Sequence, residues 1–454
     1  MEIENKLHTE PEEPPGNLLA LALLAPVVGA AAGFLGAAFR LALEYTNLWR
    51  NILIVRAHNH RLAGFLLVTA VCAVATATAA WLVRRYSPNA SGSGIPDVEI
   101  ALRGELELTT FRLIPVKFAG GLLAIGSGLA LGREGPSVQM GSRCAQVLGK
   151  IFKRNWRDCR VLIAAGAGAG LATAFNAPIA GAVFVLEELV QKFEPRIAIV
   201  ALGASATAIS VARMLLGDTP DFHVPMLVYA SAEARPLFFA LGIVAGLTGI
   251  AYNYTLLRTI TVVQSLERWP IELRAGLLGA GVGCLAWFAP GLVGGGDSIT
   301  QRTLLGAGTL TLLPFIFLIR FVLGAVSYAA ATPGGLFAPL LVLGAQLGLY
   351  FGLLCQLAFP SLHVQPEAFA VVGMAAFFTG VVRAPLTGIL LVTEMTGNVT
   401  MVLPMLGACF LAMLVPTLLG DAPIYDSLRE LTLRRDKATS VAVSLRSSGS
   451  GLIG

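Results

Sequence analysis

The segment GREGPSVQMG, residues 132–141, places one acidic residue between two glycines and follows it with a proline, inside a strongly apolar chain. A related segment, GGLFAPLLVLG at residues 334–344, has its proline and its closing glycine both 203 positions later (339 − 136 and 344 − 141). Because proline is tolerated in the first turn of a helix, each segment predicts a helix that begins directly after a glycine-rich break.

A second pair of segments recurs in the same order. APIAG at residues 177–181 precedes an apolar run to Glu187, and APLTG at residues 384–388 precedes an apolar run to Glu394, an offset of 207 (384 − 177). Short Gly/Pro-interrupted segments at matching positions of two halves are typical of transporters and indicate the binding site. The sequence therefore predicts two structural repeats, and hydropathy alone leaves open whether they are parallel or inverted.

These repeats divide the chain. We expect a first membrane repeat over residues 17–216, a polar linker over residues 217–235 and a second membrane repeat over residues 236–428. Tails of residues 1–16 and 429–454 flank the repeats. The second tail is too short for a regulatory domain, since domains typically need at least about 50 residues.

The composition indicates a protein that crosses a membrane several times. Hydrophobic residues make up 56% of the 454 residues and charged residues 13%, against about 25% charged residues in ordinary soluble domains. The 50 glycines, many of them inside apolar runs, predict close helix crossings and broken helices that line a cavity. Four uncharged runs are long enough to cross about 30 Å of hydrocarbon as a helix: residues 18–39, 62–83, 161–186 and 275–296.

The ends of the chain predict its location. Glutamates rather than basic residues precede the first apolar run, which favours a mature membrane span over a cleaved signal peptide. Basic residues follow the last apolar run, and an excess of these favours the cytoplasmic side. We therefore expect a multi-pass membrane protein with both termini in the cytoplasm. Such flanks also explain the net charge of +5 without nucleic acid as a partner.

Neither a metal nor a cofactor is predicted. The six cysteines are scattered through apolar runs without a metal or redox spacing, and His58 with His60 supplies only two ligands. The GAGAG run at residues 166–170 lacks the spacing of a dinucleotide loop, so we interpret it as close helix packing.

The glycine-bearing breaks have the chemistry of an anion site. They are SGSGIP at residues 91–96, GREGP at residues 132–136 and GGLFAP at residues 334–339. Helix starts carry free N–H groups and a partial positive charge of roughly half an electron, so converging starts hold an anion without a full positive charge. An ionised Glu134 would compete for this site and a protonated one would leave it, which links proton binding to anion access.

The three breaks, with FNAP…EE at residues 175–188 and Pro-Ile-Tyr at residues 423–425, resemble the signature regions of the CLC family of chloride channels and chloride/proton antiporters, and its bacterial exchangers in particular. The resemblance implies an all-α polytopic membrane fold of two inverted repeats with about eighteen uneven, partly broken helices. It also implies a homodimer in a lipid bilayer, with one pathway in each subunit.

The resemblance implies roles for residues at matching positions. The Ser93 hydroxyl, the Leu336 and Phe337 backbone amides and the Tyr425 hydroxyl would bind chloride. Ser93 alternatively caps a helix, and Tyr425 alternatively anchors the chain at the membrane interface. Serine at position 93 resembles the chloride-selective members rather than nitrate-preferring or fluoride-specific ones.

Two glutamates would carry protons by the same resemblance. Glu134 matches the gating glutamate; its alternative is an ion pair with Arg133, although adjacent residues on a helix face poorly for that. Glu188 matches the internal proton-transfer glutamate of the exchangers, and its alternative is an ordinary acid at a helix end. Glu394 and Arg383 stay unassigned, as a structural pair or as vestibule charges.

The sequence thus predicts a chloride/proton antiporter, with a passive voltage- or pH-gated chloride channel of the same fold as the alternative. We do not predict an enzyme, because the spans contain no Ser/His or paired-aspartate arrangement and no zinc motif.

Overall fold

A computed structural model describes residues 16–104, 111–227, 233–266 and 268–434. Within these ranges the chain is helical apart from turns, short connections and two isolated backbone bridges, which confirms the predicted all-α class. Most of the predicted N-terminal tail and most of the predicted C-terminal tail lie outside the described residues.

The α-helices are uneven in length. Their bounds are α1 Leu18–Ala57, α2 Arg61–Tyr86, α3 Ile95–Leu102, α4 Leu113–Gly126, α5 Glu134–Ile151, α6 Trp156–Phe175, α7 Pro178–Phe184, α8 Pro195–Leu216, α9 Arg235–Ser265, α10 Ile271–Phe288, α11 Asp297–Leu304, α12 Leu313–Ala329, α13 Phe337–Ala358, α14 Pro366–Val382, α15 Pro385–Thr396 and α16 Val402–Leu418. Residues 424–434 form a further helical segment. Among the described residues, six helical stretches are long and apolar enough to cross a membrane.

The first eight helices are repeated by the next eight. α5 packs on α6 as α13 packs on α14, and α1 packs on α8 as α9 packs on α16. α3 and α11 are both eight residues long, and each follows a glycine in the left-handed region, Gly94 (φ 82°) and Gly296 (φ 100°). Residues with a Cβ rarely adopt this conformation, so the matched glycines start the matched short helices.

The two halves meet about a local two-fold axis. Gly132 donates a backbone hydrogen bond to Gly335 at 2.8 Å, and Gly335 donates one back to Gly132 at 2.8 Å. The two residues are 203 positions apart (335 − 132), which is the offset of the repeat itself. These equivalent residues thus pair antiparallel, as two halves related by a two-fold axis do at that axis.

One predicted span is wrong as a single helix. The apolar run of residues 161–186 is divided, because α6 ends at Phe175 and α7 begins at Pro178. Asn176 between them adopts the left-handed conformation (φ 51°), which asparagine tolerates, and proline starts the next helix without a lost hydrogen bond. Hydropathy missed the break because no side chain around it is charged and most are apolar.

Candidate anion site between the repeats

Backbone bonds bring the three glycine-bearing breaks together. Gly92 donates to the Thr332 carbonyl at 3.1 Å, and Gly334 donates to the Gly92 carbonyl at 3.0 Å. The reciprocal pair between Gly132 and Gly335 joins the remaining break to the same place. The starts of α3, α5 and α13 therefore converge, as the sequence predicted for an anion site.

Glu134 occupies the point of convergence. Its side chain is fully buried, and its Oε1 accepts a hydrogen bond from the Phe337 backbone N–H at 2.6 Å. The Glu134 carboxylate is therefore bound to the Phe337 amide at the start of α13, one of the two amides predicted to bind chloride. Leu336, which supplies the other predicted amide, is the buried residue immediately before α13.

Two glycines leave room for this carboxylate. A Cβ atom placed on Gly132 or on Gly335 would overlap with the Glu134 carboxyl group. A third glycine, Gly135, sits against Ser93, where a Cβ atom would overlap with the serine backbone and hydroxyl. Side chains at these positions would displace the carboxylate or widen the site, so the glycines fix its size.

Two hydroxyls border the same site. Ser93 and Tyr425 are both fully buried, and neither Ser93 Oγ nor Tyr425 OH has a hydrogen-bond partner among the described residues. The Ser93 backbone N–H donates instead to the Tyr328 hydroxyl at 3.3 Å. A buried hydroxyl that donates to no acceptor costs free energy, so both groups are suited to donate to an anion.

An aromatic cluster encloses the site. The Phe337 ring lies 4.6 Å from the Phe378 ring, 5.7 Å from the Phe184 ring and 5.9 Å from the Tyr425 ring, centroid to centroid. Apolar walls exclude water, and electrostatic interactions are stronger in such surroundings than in water. The aromatic cluster thus strengthens the attraction between an anion and the amide and hydroxyl donors around it.

A cavity opens on each side of the site. One, of about 380 Å³, is lined by Ser91, Ser93, Gly94 and Arg274 among other residues. The other, of about 230 Å³, is lined by Gly132, Arg133, Phe175 and Asp297 among other residues. The first cavity borders the loop before α3, and the second borders the equivalent loop before α11.

Glu188 lies on a different segment. It is buried, in the π-helical turn Val185–Leu189 that directly continues α7, and such turns are frequent at functional sites. Its neighbour Glu187 points elsewhere and accepts hydrogen bonds from the start of α15. The two adjacent acids therefore have different surroundings, and only Glu188 is left without such a capping role.

Comparison with known proteins identifies the family. The model of the voltage-gated chloride channel family matches residues 75–417. The chain belongs to the CLC family. The H(+)/Cl(-) exchange transporter ClcA of Salmonella arizonae is 36% identical over 432 residues, which cover 93% of this chain and 91% of that protein. The ClcA transporter of Citrobacter koseri is 35% identical over 437 residues, covering 94% and 92% of the two chains.

Solved structures of CLC proteins share the fold. A slow cyanobacterial Cl-/H+ antiporter superposes with a TM-score of 0.88 at 33% identity, covering 94% of this chain and all of that chain. A CLC-type fluoride/proton antiporter superposes with a TM-score of 0.75 at 22% identity, covering 89% of this chain and 97% of that one. The CLC-type fold of two inverted repeats predicted from the sequence is therefore confirmed.

Two buried cations support the breaks and were missed by the sequence analysis. Lys117 of α4 donates to the carbonyls of Ala90 and Gly92, at 3.1 and 2.8 Å. Arg320 of α12, again 203 positions later (320 − 117), donates to the equivalent loop before α11, including Gly294 at 2.8 Å. A single cation inside an apolar membrane helix was the signal that would have found both.

The charged residues left open by the sequence have separate partners. Glu394 accepts hydrogen bonds from the Ile179 and Ala180 backbone N–H groups, whereas Arg383 pairs with Asp421 at 2.9 Å, so the two do not form the suggested structural pair. Arg133 does not pair with Glu134 either. It forms ion pairs at 3.3 Å with both Asp221 and Asp297.

Proposed function

We propose that this CLC protein is a chloride/proton antiporter in which Glu134 competes with chloride for one site. The observation that carries the proposal is the hydrogen bond from the Phe337 backbone N–H to the Glu134 carboxylate. An amide at a helix start binds chloride and carboxylate alike, so only one of the two anions occupies it at a time. Antiport is also favoured because the ClcA relatives are exchange transporters and the cyanobacterial structure is that of an antiporter.

Chloride would bind between donors rather than full charges. Ser93 and Tyr425 would donate their hydroxyl protons, while the starts of α5 and α13 would present amides and the positive ends of helix dipoles. A site without an ion-pair partner binds the halide weakly enough for release. Protonation of Glu134 removes its negative charge, weakens its hold on the Phe337 amide and leaves that amide to chloride.

Protons would reach Glu134 by way of Glu188. The buried position of Glu188 on the turn after α7 supports a role inside the protein rather than at its surface. Because protonated Glu134 leaves the anion site and ionised Glu134 returns to it, downhill movement of either ion can drive the other.

A chloride channel is the second candidate function, in which Glu134 only opens and closes the pathway. The measurement that separates the two is the reversal potential under opposing chloride and proton gradients. An antiporter shifts its reversal potential when the proton gradient changes, and a channel does not. Chloride-driven proton uptake in proteoliposomes tests the same point, and its absence would overturn the antiporter proposal.

We also propose the membrane setting and assembly. The helical segment of residues 424–434 carries Arg429 and Arg434, which supports a cytoplasmic C-terminus in a bacterial inner membrane. The proposed division is a first repeat over residues 17–216, a linker over residues 217–235 and a second repeat over residues 236–428. The family membership supports a homodimer with one pathway in each subunit. Cross-linking in native membranes tests the dimer, and a solely monomeric product would overturn it.

A further inference from the structure

An ion pair joins the last helical segment to the first broken helix. Arg429, in residues 424–434, forms an ion pair and hydrogen bond with Glu99 of α3. The Glu99 side chain is 2% exposed and the Arg429 side chain 19% exposed. Water therefore screens this pair far less than a surface pair, so the pair can hold the two segments in a fixed relative position.

The two partners lie close in sequence to the two hydroxyls of the anion site. Glu99 follows Ser93 by six residues, within the short helix α3. Arg429 follows Tyr425 by four residues, which is about one helical turn, in the segment that begins at residue 424. A contact between Glu99 and Arg429 thus fixes the position of the Tyr425 segment relative to the Ser93 helix.

The helix α3, which carries Glu99, also contacts the turn Val185–Leu189, which carries Glu188. The charged groups that act on the Glu188 carboxyl include Glu99, Asp426 and Arg429, together with its neighbour Glu187. Arg429 is the cation of this group, and it also pairs with Asp426 at 3.1 Å. The contact between Glu99 and Arg429 therefore links the segment that carries Tyr425 to a helix next to the Glu188 turn.

Arg429 is not required to satisfy the charge of Glu99. Arg103, directly after α3 and four residues beyond Glu99, donates to the same Glu99 oxygen at 2.7 Å. Removing the Arg429 charge therefore leaves no orphaned carboxylate in the protein, so the variant keeps its fold. What it loses is the connection between α3 and the segment of residues 424–434.

We propose that Arg429 is a positioning residue that holds Tyr425 against the Ser93 side of the anion site through its ion pair with Glu99. The inference rests on the proposed antiport. With the pair in place, chloride leaves towards the cavity lined by Ser93 only in step with protons. Without it, the Tyr425 hydroxyl moves away from Ser93 more often, and chloride passes without a proton.

The test is Arg429→Gln in proteoliposomes, with chloride and proton fluxes measured together. We expect faster chloride flux and a chloride-to-proton ratio raised by about twofold or more, the range a pair of this kind controls. Arg429→Lys keeps the charge and should restore most of the coupling. Arg434→Gln is the matched control, since Arg434 pairs with the exposed Glu430 on the same segment. A wild-type ratio in Arg429→Gln, or folded protein without chloride flux, overturns the proposal.

A double variant tests whether Arg429 acts through Tyr425. If it does, Arg429→Gln changes the flux ratio of the Tyr425→Phe protein no further, whereas independent effects would add. An additional change of ratio in the double variant overturns the positioning role. Failure of the antiport itself is recognised separately, because wild-type protein and Arg434→Gln would then also move chloride without protons.

Discussion

Glu187 caps the start of α15, and Glu394 of α15 caps the start of α7, the helix that leads to Glu187. Glu187, just after α7, accepts hydrogen bonds from the Leu386 and Thr387 backbone N–H groups at 3.0 and 2.7 Å, at the start of α15. Glu394, near the end of α15, accepts from Ile179 and Ala180 at 3.0 and 2.8 Å, at the start of α7. The two helices therefore run antiparallel, and each carboxylate satisfies free amides at a helix start of the other repeat.

Loss of either cap should destabilise the contact between the repeats. We expect Glu187→Gln to lower stability by about 1 to 2 kcal/mol, the upper range for a lost helix cap, because a neutral amide replaces a charged acceptor. Glu394→Gln should cost less, since Glu187 also accepts from the Thr387 hydroxyl. Thermal unfolding in detergent measures both, with the exposed Glu430→Gln as control. Equal melting temperatures for all four proteins would contradict the capping role.

Replacing Glu134 with glutamine should uncouple chloride from protons. Glutamine has nearly the same shape but no charge to compete with chloride and no titration, so chloride flux should vary little with pH. We expect proton transport to fall below detection while chloride flux continues. Flux assays in proteoliposomes between pH 4 and pH 7 check this, over roughly the range in which a glutamate titrates. Normal proton coupling in this variant would rule out the gating role.

Glu188→Gln should affect protons alone. If Glu188 only passes protons to Glu134, chloride should still bind and cross, and chloride-driven proton uptake should disappear. Glu187→Gln is the matched control, because its carboxylate caps α15. It should keep proton uptake in the fraction that folds. Unchanged proton uptake in Glu188→Gln would exclude the relay.

Ser93→Pro should change which anion is preferred. Proline removes the hydroxyl and also the N–H that donates to Tyr328, so the donors around the anion change on two sides. We expect nitrate to be transported better relative to chloride than in the wild-type protein. Flux assays in proteoliposomes with each anion check this, and unaltered selectivity would place Ser93 outside the site.

Asp221→Asn should alter the cavity beside Arg133. Asp221 bridges Arg40 at 2.9 Å and Arg133 at 3.3 Å, so its neutralisation raises the positive potential there. We expect the KM for chloride entering from this side to fall by about twofold, an effect that high salt should remove. Asp218→Asn is the control, because Asp218 is mostly exposed and pairs with Arg213. An unchanged KM would show that Asp221 only fixes the linker.

Local sequence chemistry was enough to predict much of this protein. The pattern of glycine before proline fixed where α3, α5 and α13 begin, because both residues act on the backbone within a few positions. The repeat at offsets of 203 and 207 predicted two halves, and low charge predicted the membrane. Glu134 could be named from its place in such a break, whereas Ser93, Phe337 and Tyr425 were named through the resemblance of their motifs to the CLC signature regions.

Only the tertiary structure decided how these local features combine. The pairing of Gly132 with Gly335, the antiparallel halves and the exchange of caps between Glu187 and Glu394 depend on contacts between residues about 200 positions apart. Arg133 and its partner Asp221 are 88 positions apart, and Arg429 and its partner Glu99 are 330 positions apart. The physical reason is that backbone preferences act over a few residues, whereas a charge or a free N–H pairs with any suitable group that folding brings within reach.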